Sequence, residues 1–377
     1  MKIKEFLYKN YIASLGWKAN KKYLIIESDD WGAIRMPNRN CYNKFLKSSV
    51  LVDKYPFDKY DSLESEEDLV RLFEVLSSVK DSQGNSAVLT SYQLVANPNF
   101  EKIQNSNKEE YSFETIDKTY LKFSHSQNSL KLIKEGIDNN IFIPQFHGRE
   151  HIHVKRWMEA IKSKSIKESI AFNEGAIISS IMVNDNYSYP KNYFAGQDFS
   201  DDSELSQLDQ IHTSGLKLFE EIFGFKSQTF TAQGGFWGDQ LLNVLNENGI
   251  KLIGGRQFQP IGDGKHKFIN KLSFGEKNKY GQILWRRNSR FEPSENQEFD
   301  WVSQCLKEIN IAFKWNKPAI ISSHRMNFIG TIFENNRAQS LLKLKVLLNS
   351  VVKIWPDVIF ISTHELANIL SKEVKSK

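Results

Sequence analysis

Only two cysteines, Cys41 and Cys305, occur in 377 residues, far apart and outside any Cys-rich cluster. A disulfide framework is therefore excluded as the basis of the fold, and so is a cysteine-held zinc site. The scarcity also fits a reducing compartment. Long apolar runs are missing as well. No stretch approaches the roughly 20 residues that span a bilayer, and the first 24 residues alternate Lys with apolar side chains, without the continuous apolar segment of a signal peptide. The expectation is a cytoplasmic chain with no membrane span. Charge of one sign is not in large excess: 50 Lys plus Arg stand against 45 Asp plus Glu, and the net charge of +5 is spread along the chain. That pattern describes a solvated surface and no nucleic-acid footprint.

What is present is a folded composition, 40% hydrophobic and 25% charged, arranged as alternating strand-like and helix-like segments. Residues 1–20 repeat Ile3, Phe6, Leu7, Tyr11 and Leu15 at helical spacing. A strand Tyr23–Ser28 follows. Ser65-Glu66-Glu67-Asp68 reads as a capped helix start with acidic residues in the first turn. Further strands are expected at Ala87–Leu94, Ile141–Phe146, Gln228–Ala232, Ile250–Gly254, Gly281–Trp285, Ala319–Ser323 and Val358–Ser362. Helices are expected between them, among them Ser126–Gly136, His151–Ile161, Leu205–Phe223, Asp239–Asn248, Phe299–Trp315 and Asn336–Ile354. Residues 162–204, rich in Ser, Asn and Asp, read as a loop insertion with a buried strand near Ala176–Ile181. Seven or eight such units without a linker argue for one α/β domain over 1–377, built on a mostly parallel barrel, closed by the count alone.

Chemistry concentrates at strand ends. Asp29 and Asp30 end the first strand in Ser28-Asp29-Asp30-Trp31-Gly32. One carboxylate can hold a metal while a second takes the proton of an activated water. His147 and His151 end the strand Ile141–Phe146 four residues apart, so that on a helical turn both rings face one point. Two His and one Asp, with a position left for water, is a common catalytic ligand set for a divalent metal. His324 ends another strand, Ile320-Ile321-Ser322-Ser323-His324, and His364 stands in a similar setting. A histidine there can protonate a leaving group near neutral pH. Each motif alone also has an ordinary reading: a surface Asp-Asp turn, solvated helix histidines, a core histidine satisfied by a neighbour. His153 competes with His151 on sequence grounds.

Taken together, these motifs resemble the polysaccharide deacetylases, the NodB-homology carbohydrate esterases. The resemblance runs from about residue 22 to 370. It implies an incomplete (β/α)7-type barrel with mostly parallel strands and removal of an acetyl group from a sugar with one divalent metal ion, most often Zn2+. The implied roles are Asp29 as base, Asp30, His147 and His151 as metal ligands, and His324, in preference to His364, as catalytic acid. The sequence departs from the family pattern in three places. Glu27-Ser28 precedes the Asp pair in place of Thr-Phe or Ser-Phe, and Gly148 stands where Ser or Thr follows the first His. The third-motif segment 231–238 lacks the Arg that braces the base, which leaves Arg286, Arg149 or Arg35 to supply it. Among aromatics, Trp31 and Trp237 are placed to line a sugar groove, with Arg286 as a further substrate contact. Two other functions share the scaffold: a glycoside hydrolase using Asp29 or Glu150, and a sugar-binding protein without catalysis.

Overall fold

The computed structural model describes residues 3–163, 165–184, 192–235, 237–255, 258–260, 268–271 and 273–373. Nine strands form its main sheet. We number them β1 (Tyr23–Trp31), β2 (Leu89–Leu94), β3 (Phe142–Gly148), β4 (Thr229–Phe230), β5 (Leu252–Gly254), β6 (Ile283–Trp285), β7 (Ser289–Arg290), β8 (Ala319–His324) and β9 (Ile359–Phe360). Hydrogen bonding runs in the order β6-β5-β4-β3-β2-β1-β8-β7, and β9 pairs with the beginning of β1. Every pairing in this sheet is parallel. Order along the chain thus becomes order around a curved sheet, and helices span the crossovers from β1 to β5 and from β7 to β9.

The closed barrel expected from the strand count is not formed. β6 and β7 are separated by only three residues, Arg286 to Asn288, yet they do not pair and remain the two edges of the sheet. The helix Ile3–Ser14 lies along this open side: Arg286 donates to the carbonyl of Ile12 at 3.1 Å, and Lys9 meets Glu308 of the helix Trp301–Lys314 at 2.5 Å. An edge with unpaired backbone is covered rather than exposed.

β1, β2 and β3 are buried along their whole length. Strands covered on both faces by crossover helices or by the opposite wall have no solvent side, so their apolar runs are nearly continuous. The main core lies between the sheet and the helices, with Leu24, Ile26, Leu89, Phe142, Phe146 and Ile321 from strands against Leu69, Leu72, Ile133, Phe219 and Leu344 from helices. The helix Glu66–Ser77 begins with the expected capping box, Ser65 and Asp68 bonding each other's backbone N–H.

The described residues of 162–204 include helices and no strand. Ile166–Asn173 is capped by Ser165, and Ser179–Asn184 follows, while 185–191 lie outside the described residues. The apolar run Ala176–Ile181 lacks ladder partners and enters a helix, an ambiguity short apolar segments always carry. No helix among the described residues is long and apolar enough to cross a membrane.

Candidate metal and hydrolytic site

The carboxyl ends of the strands converge on one cavity of about 740 Å³, lined by Asp29 and Asp30 of β1, His147 of β3, Gly254 of β5, Trp285 of β6 and His324 of β8. In a barrel-like sheet this is the face where chemistry is placed.

Strict alternation would point Asp29 and Asp30 to opposite faces. The chain avoids this with an irregularity: β1 advances three residues from Ser28 to Trp31 while β2 advances two from Ser91 to Gln93. Asp30 takes up the extra residue at φ +73, a left-handed conformation that Asp tolerates better than most side chains. Glu27 and Asp29 therefore face inward by alternation, and Asp30 is turned to join them. Ser28 and Trp31 face the other way, hydrogen-bonded to each other at 2.9 Å.

Asp30 gathers the two histidines. His151 Nε2 is 3.0 Å and His147 Nε2 3.4 Å from its Oδ1, and the ligating atoms of all three lie within 4.8 Å of one another. No helical turn carries this pair. His147 closes β3, and His151 stands in the bend before the helix Val154–Lys162. Gly148, at φ +153, makes the turn between them. His147 Nδ1 lies 2.7 Å from the carbonyl of Thr231, so Nδ1 carries the proton and the Nε2 lone pair faces the Asp30 carboxylate. His147 Nε2 and Asp30 Oδ1 face each other across 3.4 Å, a geometry that a shared proton or a metal ion held by both would satisfy. The donor set of one carboxylate oxygen and two imidazole nitrogens suits Zn2+, so the residues fit the metal that the resemblance implies. Burial, acting against the Asp30 charge, brings His151 down to about 4, which leaves it neutral and able to ligate. On Asp30, burial opposes ionisation, but His151 and Arg35 hold the carboxyl well below its ordinary value. Arg35 NH2 occupies Oδ2 at 3.2 Å, leaving Oδ1 to the histidines.

Asp29 is held by Arg287, whose NH1 donates to Oδ2 at 2.6 Å and NH2 to Oδ1 at 2.5 Å. Burial alone would raise the Asp29 carboxyl; the Arg287 guanidinium more than offsets it and leaves the group below its usual range. The same guanidinium donates from Nε to Glu27 at 2.6 Å. Glu27 is fully buried and also accepts from Trp285 Nε1 at 3.0 Å and Thr363 Oγ at 2.6 Å. None of Arg286, Arg149 or Arg35 is the brace. Arg286 is bonded to the N-terminal helix, Arg149 to Glu150, and Arg35 to Asp30. The signal was present in the sequence: Trp285 faces Glu27 at the end of β6, and alternation puts residue 287, not 286, on that same side.

His324 faces Asp29 with Nε2 at 3.8 Å from Oδ2, and its Nδ1 is 2.7 Å from Glu292. Burial would discharge the ring, but the fully buried Glu292 carboxylate outweighs it and raises His324 to about 10. Asn327 donates to the other Glu292 oxygen at 2.7 Å and fixes the pair. Phe57 sets the edge of its ring against His324, and Phe194 lies beside His151; both line the cavity.

Other predicted residues fall elsewhere. Trp31 has no exposed surface and packs between Phe142 and Phe328 in the core, so it lines no groove. Trp237 is 2% exposed, donates to the Gly254 carbonyl at 3.0 Å and is not on the cavity wall. Arg286 is on that wall, away from the metal triad and against the N-terminal helix. His364 opens the helix Thr363–Glu373 and is not on the wall, and His153 caps the helix Val154–Lys162. Glu150 is taken up by Arg149 at 2.8 and 2.9 Å and by Tyr111 at 2.7 Å.

No family model matches this sequence, and no curated protein matches it. Solved structures of similar fold include PuuE allantoinase (10% identity, 93% of this chain and 91% of that chain covered, TM-score 0.48). A probable polysaccharide deacetylase from Pseudomonas aeruginosa PAO1 is similar at 10% identity, over 93% and 91% of the two chains, with a TM-score of 0.47. A CE4 family pseudoenzyme from Bacillus anthracis is similar at 10% identity, over 92% of this chain and 66% of that one, with a TM-score of 0.38. At such identities the similarity carries no reaction and no residue role over to this chain.

Proposed function

We propose that this chain is a divalent-metal-dependent hydrolase that removes an acetyl group from a sugar, with Asp30, His147 and His151 as ligands. The supporting observation is the convergence of those three on one point, between a carboxylate clamped by a guanidinium and an imidazolium clamped by a carboxylate. A Zn2+ ion bound there would supply Lewis acidity toward the acetyl carbonyl and would lower the pKa of water toward about 7.

The chain's own groups do the rest. Asp29, ionised by Arg287, accepts the proton of the attacking water; its lowered pKa makes it a weak base, suited to a water already acidified. His324 stays charged and donates from Nε2 to the departing amine or alcohol, while Glu292 holds Nδ1. Phe57 and Phe194 offer apolar surface to a pyranose face beside the reacting groups. Glu150, committed to Arg149 and Tyr111, is not available as a glycosidic carboxylate. Arg287 supplies the brace whose absence from the third motif favoured a binding protein without catalysis.

The test combines elemental analysis with acetate release from N- and O-acetylated sugars. One metal equivalent is expected, with turnover that Asp29→Asn removes while the metal stays bound. Full turnover in Asp29→Asn, or none by the metal-loaded protein on any acetylated sugar, overturns the assignment.

A further inference from the structure

Behind the metal triad runs a row of buried charges that the hydrolytic steps do not use. Arg35, Asp61, Glu64 and Arg325 are each at most 4% exposed. Arg35 NH2 donates to Oδ2 of Asp30 at 3.2 Å, while both histidines approach Oδ1. Arg35 Nε lies 3.7 Å from Asp61 Oδ2, and neither atom has a hydrogen-bond partner among the described residues. Asp61 Oδ1 accepts from Arg325 Nε at 2.9 Å, and Arg325 NH1 donates to Glu64 Oε2 at 2.7 Å. Glu64 also accepts from the backbone N–H of Gly32 at 3.0 Å and from the Tyr120 hydroxyl. Signs alternate along the row, and it closes on itself, starting at Asp30 and returning to Gly32 two residues on.

The loop after β1 holds Arg35 in this row. The N–H of Ile34 donates to Asn97 Oδ1 at 2.9 Å and that of Met36 to the Asp61 carbonyl at 3.3 Å, which pins the backbone on both sides of Arg35. The Phe194 ring covers the guanidinium, its centre 4.7 Å from Cζ. A carboxylate free to turn could offer a metal either oxygen or both. With Oδ2 taken by Arg35, Asp30 presents Oδ1 to the point where His147 and His151 converge. Groups that orient a ligand in this way raise metal affinity. Arg35 alone would bring an uncompensated positive charge toward a dication, in surroundings where such charges interact strongly. Asp61 supplies the opposite charge and a second anchor, and Arg325 fixes Asp61.

We infer that Arg35 is a positioning residue for the metal ligand Asp30, and that Asp61, which hydrogen-bonds none of the three ligands, acts on the metal site through Arg35. This role rests on the ligand set proposed above and is independent of the substrate.

The experiment is titration of the metal-free full chain with zinc against a chromophoric chelator, with thermal melting of each metal-free variant alongside. The wild type should take up one equivalent. Arg35→Met should bind it about 10–100-fold more weakly, and Asp61→Asn about tenfold or more. The double variant should lose no more than the weaker-binding single variant, because the effect of Asp61 passes through Arg35. Arg337→Met is the control. It breaks a buried ion pair with Asp68 away from the cavity wall, so its melting temperature should fall while its zinc affinity stays.

Wild-type affinity in Arg35→Met overturns the positioning role, and additive losses in the double variant overturn the path through Asp61. An equal loss of affinity in Arg337→Met would reduce the effect to general destabilisation and overturns both. If Arg35→Met does not fold, Asp61→Asn, which keeps the shape of the side chain, decides alone: wild-type affinity there overturns the role. No zinc uptake by the wild type removes the ligand set and the role of Arg35 with it. Zinc uptake without acetate release from any sugar keeps the role of Arg35 and removes the deacetylase.

Discussion

Arg287 reaches both oxygens of Asp29, at 2.6 and 2.5 Å, and places its remaining Nε on Glu27 at 2.6 Å. One guanidinium thereby ties the proposed base to a buried carboxylate that is itself anchored to Trp285 and Thr363. The guanidinium comes from Arg287, two residues past the end of β6, and Glu27 is the partner that orients it.

Removing this clamp changes both rate and pH dependence. Arg287 lowers the Asp29 carboxyl, so Arg287→Lys, which keeps a charge but loses the fork, should let that pKa rise. A base must be deprotonated, so the acid limb of the pH–rate profile moves to higher pH, and the rate falls by about 10²-fold or more. Acetate release measured between pH 4 and about 8 checks this; an unmoved acid limb removes Arg287 from the role.

Glu292 predicts the opposite limb. It is the main group raising His324 to about 10, so Glu292→Gln should bring the ring back toward its ordinary 6.5. The proposed acid must be protonated, so the basic limb moves to lower pH. Stability follows the same sign. A raised histidine pKa adds stability that is complete below about 6.5 and is lost as pH climbs toward about 10. Melting temperatures across that window should fall in the wild type and fall less in Glu292→Gln.

Trp31, expected in the groove, lies in the core, and Phe57 and Phe194 line the cavity in its place. Trp31 is wholly buried in the core, so Trp31→Ala should cost about 3–5 kcal/mol of stability. Phe57 and Phe194 line the cavity, and replacing either by Ala should raise KM with only a modest change in melting temperature. Denaturant unfolding alongside steady-state kinetics distinguishes them. A raised KM in a Trp31 variant of unchanged stability contradicts the core placement.

The parts legible in the sequence share a physical reason. Buried parallel strands write themselves as apolar runs, so β1, β3 and β8 could be read, as could the chemistry-bearing residues at their ends. The Asp29–Asp30 pair and the His147–His151 spacing were visible, but the reason for convergence was not. It lies in a bulge with Asp30 at φ +73 and in a strand-to-bend turn at Gly148, both set by tertiary contacts. Glu292 and Glu27 were hidden because a carboxylate in a sequence does not show whether it is buried. Trp31 was misplaced because the bulge that turns Asp30 inward leaves its neighbour facing the core. The helices of 162–204 are short and Ser/Asn-rich, and their periodicity is too brief to stand out.

Gly148 supplies the sharpest test of this local logic. The deacetylases that the sequence resembles have Ser or Thr after their first metal-binding His, so Gly148→Ser looks like a restoration. Here it is the reverse. A Cβ on residue 148 would lie 2.3 Å from Nε2 of Gln233, and φ +153 is a conformation that side chains rarely adopt. Gln233 cannot yield cheaply, because that same nitrogen donates to the carbonyls of Glu150 at 2.7 Å and His147 at 3.3 Å, holding the segment that carries both histidines. Overpacking of this kind costs about 1–3 kcal/mol, and the strain falls on the spacing between the two ligands. Gly148→Ser should therefore lower both melting temperature and zinc content. Adding Gln233→Ala removes the clash but also the two hydrogen bonds, so the double variant should recover stability relative to Gly148→Ser without recovering full zinc affinity. Full zinc content in Gly148→Ser would show that the turn, and not its glycine, sets the site.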